Sequence, residues 1–153
     1  MKIIALALLA AAAALPAGDP AGFMLWKGSD LRAMSKTLSP KINAQKIAGQ
    51  PFGTFGNHNF AISHREGNGE AELHAVVNDV FIVESGEATL VVGGKVVNGK
   101  TTGPNEIRGS SISDGVTKKL AVGDVVHIPA NTPHQLMVES GKHFTYFVIK
   151  INQ

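Results

Sequence analysis

The chain contains no cysteine. That excludes disulfides, thiol catalysis, every cysteine-based metal site and a lipid-modified cysteine near the N-terminus. Stability must come from a packed apolar core. Aromatics are scarce, with one Trp and one Tyr among 153 residues. Charge is scarce as well: charged residues make up 17% of the chain, and the net charge is +2. Lys and Arg are spread through loops and strand ends, so no nucleic-acid footprint is visible. The sequence has neither a Gly-x-Ser-x-Gly elbow nor a glycine-rich phosphate loop ahead of a helix. Its longest apolar run, residues 3–15, falls short of the ~20 residues that cross a bilayer.

That run reads instead as an export signal. Lys2 supplies the positive start, an Ala- and Leu-rich stretch follows, and small residues come after it. Residues 1–17 are therefore expected to be a signal peptide, cut after Ala14 or Ala17, with a mature chain that begins between Leu15 and Gly18. The expected location is the periplasm or the medium, with no membrane attachment after cleavage. Residues 18–46 read as an arm with one short helix. Ser29 is placed to cap it, Leu31, Met34 and Leu38 recur at helical spacing, Asp30 suits the helix dipole, and Pro40 ends it. The helix is expected on the outside of the main domain or at a subunit contact.

From residue 47 to residue 153 the pattern is that of strands. Seventeen glycines and short alternating runs suit a β-protein with many turns. Residues 80–83 and 88–92 read as a hairpin around Ser85-Gly86, and residues 95–97 as the return strand of a second one after Gly93-Gly94. Residues 98–115 are polar and glycine-rich and read as one long loop. No helix separates successive strands, which predicts an all-β antiparallel sandwich or barrel over a βαβ fold.

Two stretches carry candidate chemistry. Glu72 and His74 lie two apart on a strand and so share a face. A tight bend at residues 75–78 lets Asp79 enter the next strand facing the same cavity. His134 opens a strand after Pro133 and can converge from another wall. Two imidazoles and two carboxylates form a plausible divalent-metal site, and mixed N/O ligation suits Mn, Fe, Ni or Zn without choosing among them. The alternative has the two acids at solvated strand edges and the two histidines as core groups. His64 shares strand parity with Phe60 and Ile62. It is the candidate catalytic residue, a proton-transfer group lining the cavity, with a hydrogen-bonded core histidine as the alternative. Phe81, Val83, Leu90, Val92, Leu136 and Phe147 are candidate walls. Arg108, in the long loop, is a candidate mouth contact for an acidic ligand. His127 reads as structural, His58 and His143 as surface or loop residues, and Glu84 as a hairpin residue.

These stretches, Glu72 to Gly86 and Gly123 to His134, resemble the two motifs of the cupin family. Asp79 and Gly86 keep the expected six intervening residues, with Glu72 where the first His of His-x-His is usual and Asp79 where Glu is usual. Gly123, Pro129 and His134 match the second motif, with Asn131 at the turn-glycine position and Val138 at the last Asn position. Asn enters the left-handed region more readily than most residues. The resemblance covers roughly residues 70–151. It implies a cupin-type jelly-roll barrel, one divalent metal and a small organic ligand or substrate, with oxygenase, isomerase or decarboxylase chemistry all possible. A non-catalytic, small-molecule-binding cupin is the alternative. Pairing of sheet edges into a homodimer is also expected.

Overall fold

A computed structural model describes residues 18–153. The expected signal segment, residues 1–17, lies outside them. The chain opens with α1 (Gly28–Leu38) and a 3₁₀ turn (Ser39–Lys41). Thirteen strands follow: β1 (Ile47–Phe55), β2 (His58–Arg65), β3 (Ala71–His74), β4 (Val77–Gly86), β5 (Ala88–Val92), β6 (Lys95–Val97), β7 (Lys100–Gly103), β8 (Glu106–Gly109), β9 (Ser111–Ser113), β10 (Val116–Leu120), β11 (Val125–Ile128), β12 (His134–Met137) and β13 (Phe144–Asn152). Among the described residues, no helix is long and apolar enough to cross a membrane.

The strands form two antiparallel sheets and a small ribbon. One sheet runs β1-β2-β13-β4-β11, the other β10-β5-β12-β3-β8-β7, and β6 pairs with β9. The sheets enclose a core of Phe81, Val83, Leu90, Leu120, Ile128, Leu136, Val138, Phe144, Tyr146 and Val148. This is the expected all-β barrel.

α1 covers the outer face of the five-stranded sheet. Leu31 and Leu38 bury against Ala48, Ile62 and Phe147. Trp26, just before the helix, packs its ring on Phe52, Phe60 and Phe147 at centroid distances of 5.3, 5.1 and 5.6 Å. The helix starts two residues earlier than the sequence suggests. Lys27 is the N-cap and gives no side-chain cap, while Ser29 Oγ donates to Asp30 Oδ1 at 3.2 Å. Pro40 sits in the first turn of the 3₁₀ segment, where its missing N–H is harmless, so it tightens the chain there.

Three sequence expectations fail here, two of them because the chain crosses between sheets instead of folding back on its neighbour. β4 and β5 do not form a hairpin. β4 pairs with β13 and β11, and β5 with β10 and β12. Gly86, at φ +76°, turns the chain from one sheet to the other. The second expected hairpin also fails, because β6 pairs with β9. Residues 98–115 are not one long loop but contain β7, β8 and β9. Pro104-Asn105, with Asn105 at φ 61°, makes the tight turn between β7 and β8, and Asn98 and Asp114 take positive φ at further turns. The stretch is polar because β7 is an edge strand.

Candidate metal centre

Cross-strand register builds the site. On the six-stranded sheet Glu72 in β3 stands opposite Arg108 in β8 on one side and His134 in β12 on the other. On the five-stranded sheet Asp79 in β4 stands opposite Lys150 in β13. His74 sits two residues along β3 from Glu72, on the same face. The two expected motifs are joined by backbone contacts. The Asn131 N–H donates to the His74 carbonyl at 2.7 Å, and Asn131 takes φ 59° as its turn position requires. The Ala130 N–H donates to Asn78 Oδ1 at 2.9 Å, tying the same turn to β4.

Glu72, His74 and His134 present ligand atoms that all lie within 4.8 Å of one another. His74 Nε2 stands 3.4 Å from Glu72 Oε2 and 3.5 Å from Asp79 Oδ2, and His134 Nε2 stands 3.4 Å from the same Oδ2. The sequence-predicted quartet is thus brought together, with Glu72, His74 and His134 as the tighter group and Asp79 beside both imidazoles.

The protonation pattern follows from the partners. His134 Nδ1 stands 3.0 Å from the Thr132 carbonyl, which can only accept, so Nδ1 carries a proton and Nε2 is the atom that faces the cluster. Lys150 Nζ, which can only donate, stands 3.0 Å from His74 Nε2 and 2.8 Å from Asp79 Oδ1. Both imidazoles turn Nε2 toward carboxylate oxygens, a geometry that serves a protonated ring as donor and a neutral ring as metal ligand. With both rings neutral, two imidazole nitrogens and two carboxylates make a donor set that fits a divalent metal. Lys150 already supplies one positive charge at the edge of the cluster.

Electrostatics keep the acids ionised. Burial pushes the Glu72 carboxyl up, but His74, Arg108, His134 and Arg65 outweigh it and hold the group at about 2. Burial likewise raises Asp79, and His134 and Lys150 outweigh it, leaving the carboxyl below its ordinary value. Arg108 Nη1 stands 3.1 Å from Glu72 Oε1. Glu72 thus splits its roles: Oε1 faces the guanidinium and Oε2 faces the imidazoles.

The cluster opens into a cavity of about 430 Å³. Phe81, Leu136, Tyr146 and Val148 supply apolar wall, while Arg65, Arg108 and Lys150 bring positive charge. Burial raises the Tyr146 phenol, so it keeps its proton at neutral pH. Of the other expected walls, Val83, Leu90 and Val92 belong to the barrel core beside the cavity, and Phe147 faces the helix instead.

His64 does not reach this cluster. Phe60 and Ile62 pack with the helix-side cluster, whereas Ala61 packs with the barrel core, so β2 turns the His64 face away from the cavity. The parity was right and the face was wrong: large apolar residues point outward because the arm covers that side. His64 is 1% exposed, with Thr145 Oγ1 at 2.8 Å from Nδ1 and Glu66 Oε1 at 3.1 Å from Nε2. Ser39 also donates to Glu66, so this set clasps the 3₁₀ turn to β2. His143 stacks on His64 at 5.7 Å and contacts Ser85. His127 is exposed. Glu84 is 8% exposed, and its carboxyl is raised by burial.

Sequence reasoning missed Arg65 and Lys150. Strand alternation carried the signal for both, since Ala61, Ser63 and Arg65 share one face of β2, and Tyr146, Val148 and Lys150 share one face of β13. Arg108 was expected at the mouth of the cavity from a loop; it lines the cavity from β8 and pairs with Glu72.

The two facing antiparallel sheets form a barrel with the double-stranded β-helix, or cupin-type, fold. Solved structures agree on the fold. A double-stranded β-helix domain protein from Klebsiella pneumoniae aligns with 72% of this chain and 80% of its own at TM-score 0.53 and 15% identity. A putative mannose-6-phosphate isomerase from Ralstonia eutropha aligns with 73% of this chain and 90% of its own at TM-score 0.51 and 13% identity. The DMSP lyase DddQ from Ruegeria pomeroyi aligns at TM-score 0.51 and 14% identity over 71% of this chain, which spans only 48% of the lyase. No family model and no curated protein matches the sequence. The chain has the cupin fold in a single barrel.

Proposed function

We propose that the protein is an exported, metal-dependent cupin that acts on a small organic molecule. One observation carries this reading: Glu72, His74 and His134 offer ligand atoms within 4.8 Å of one another, with Glu72 and His134 at the wall of a cavity. These three residues would hold a divalent ion, with Asp79 Oδ2 as a fourth donor. The ion would supply Lewis-acid activation of a bound oxygen atom. The chain's own residues do the rest. Arg108 fixes Glu72 through Oε1, Thr132 sets the His134 tautomer, and Lys150 anchors Asp79. Phe81, Leu136 and Val148 exclude water beside the cluster, and Tyr146 offers a neutral hydroxyl. Since His64 faces away, proton transfer falls to groups on the cavity side. Neighbours of the same fold include a DMSP lyase and a putative mannose-6-phosphate isomerase, which is consistent with either catalysis or binding on this barrel.

The second reading, a non-catalytic small-molecule binder, is favoured by Lys150, whose ammonium offsets the acids without a metal. Elemental analysis of untagged protein, purified without chelator, together with a turnover screen with the metal restored, separates the two. About one Mn, Fe, Ni or Zn per chain supports the metal reading, and metal-free protein that still binds ligands favours the binder. Export is supported by the pattern of residues 1–17, and a mature N-terminus between Leu15 and Gly18 is its test. A homodimer formed through a sheet edge is part of the same reading, to be checked by sedimentation.

A further inference from the structure

Arg65 ends β2 on the face that looks into the barrel. It is 7% exposed, and its Nε has no hydrogen-bond partner among the described residues. Its ion pair with Glu72 Oε1 is long, at 3.6 Å. A buried guanidinium with an unmatched donor is costly, because the group has lost water without full replacement. The chain nonetheless makes room for it. A Cβ at Gly69 would stand 3.0 Å from Arg65 Nη1 and 3.1 Å from Cζ, so glycine spares the guanidinium a shift of a few tenths of an ångström. Arg108 meets the same Glu72 oxygen from β8 at 3.1 Å, and Glu106 accepts its Nε–H and aims the fork. Two guanidiniums therefore share one carboxylate oxygen and both line the cavity.

The charge around the cavity points the same way. Its walls hold three basic side chains (Arg65, Arg108, Lys150) and three acids (Glu70, Glu72, Asp79). A divalent ion on the Glu72 cluster would leave that lining with an excess of positive charge, which a ligand anion would offset.

We propose that the cavity selects a small molecule bearing a carboxylate, bound by Arg65 and Arg108 with its hydrocarbon part against Phe81, Leu136 and Val148. The charge balance rests on the metal reading above, whereas the unmatched Arg65 donor does not. A guanidinium fork matches a planar carboxylate in shape and charge, and Glu72 already shows that these two arginines can face one carboxylate together. The Tyr146 phenol beside Arg65 and Ser63 adds a hydroxyl at the same wall.

The test is calorimetric titration of the purified protein, metal as isolated, with butyrate, glutarate and benzoate, each against its amide, and with inorganic phosphate. The carboxylates should bind more tightly than the amides. Arg108→Gln and Arg65→Gln should each weaken carboxylate binding on the order of 10- to 100-fold while leaving amide binding unchanged, with metal content measured in each variant so that any loss at Glu72 is read separately. Arg108 is partly exposed, so Arg108→Gln decides the matter if Arg65→Gln does not fold. A carboxylate preference that persists in Arg108→Gln with metal intact places the anion on the metal and overturns the proposal. Phosphate binding without carboxylate binding also overturns it. Arginine-dependent carboxylate binding in protein that holds no metal would sink the metal reading and leave this one standing.

Discussion

Lys150 Nζ donates to Asp79 Oδ1 at 2.8 Å across the β13–β4 pair, inside what is otherwise a cluster of metal-type acceptors. The same ammonium lies 3.0 Å from His74 Nε2. A resident cation at a ligand nitrogen must compete with an incoming one. Lys150→Met should therefore tighten metal binding by about tenfold or more. It should also destabilise the metal-free protein by about 1–3 kcal/mol, because Asp79 loses its partner while 2% exposed. Chelator competition and urea unfolding of stripped protein read the two effects. Weaker metal binding in the variant would refute the competition.

Replacing His74 and His134 together with Ala removes two of the three closest donors. Stoichiometric metal should be lost. The gain in stability that metal confers should vanish with it, about 2.7 kcal/mol for wild type at a free metal concentration one hundred times Kd. Melting curves with and without added metal, beside elemental analysis, check both. An unchanged metal content would show that the site lies elsewhere.

His64→Gln should behave as a structural change only. It loses contacts to Thr145 and Glu66 that clasp the 3₁₀ turn to β2, at a cost of about 1–3 kcal/mol. Metal content and any turnover, measured below the melting transition, should match wild type. A large loss of turnover in folded protein would return His64 to the catalytic machinery.

Acid should weaken the metal-free barrel in a defined window. Glu72 is held at about 2 in the folded protein against an ordinary 4.5, by His74, Arg108, His134 and Arg65 acting against burial. A depressed folded value means that the contribution is complete above pH 4.5 and is lost as pH falls toward 2. It amounts to roughly 3 kcal/mol at most. Glu72→Gln should flatten that part of the stability-versus-pH curve for chelator-treated protein, read by denaturant midpoints. An unchanged acid limb would mean that other carboxylates govern it.

Gly86→Ala should be severe for its size. Gly86 holds φ +76°, and a Cβ there would meet the His143 carbonyl oxygen at 1.9 Å, with backbone on the receiving side. The expected loss is more than about 2 kcal/mol, or failure to fold. A melting temperature within a few degrees of wild type would show that this sheet-to-sheet crossing is looser than described.

The barrel and the four ligand-type residues were legible because each rests on a local rule. Strand alternation puts Glu72 and His74 on one face, and the Gly123–Pro129–His134 spacing marks the second motif. What escaped was set by distant partners. Strand pairing could not be read from adjacent runs, since β4 meets β13 some sixty residues on and β5 meets β12 rather than its neighbour. The inward face of β2 depends on whether the arm covers the other one, which reversed His64 and concealed Arg65. Lys150 read as an ordinary strand-end lysine because only its register with Asp79 gives it a role. Pro104-Asn105 was a turn signal available in the sequence, and the polarity around it masked the two short strands it joins.

The single tryptophan and the single tyrosine stand on opposite sides of one sheet. Trp26 packs on Phe147 from the helix side, while Tyr146, the preceding residue of the same strand, lines the cavity. The molecule thus carries two intrinsic optical reporters with separate fields of view. Light absorbed by the phenol registers what enters the barrel, and indole emission registers whether the arm stays docked. Energy passing from one ring to the other crosses a single layer of backbone, so an arm that lifts away would dim that transfer while the cavity's own signal persists.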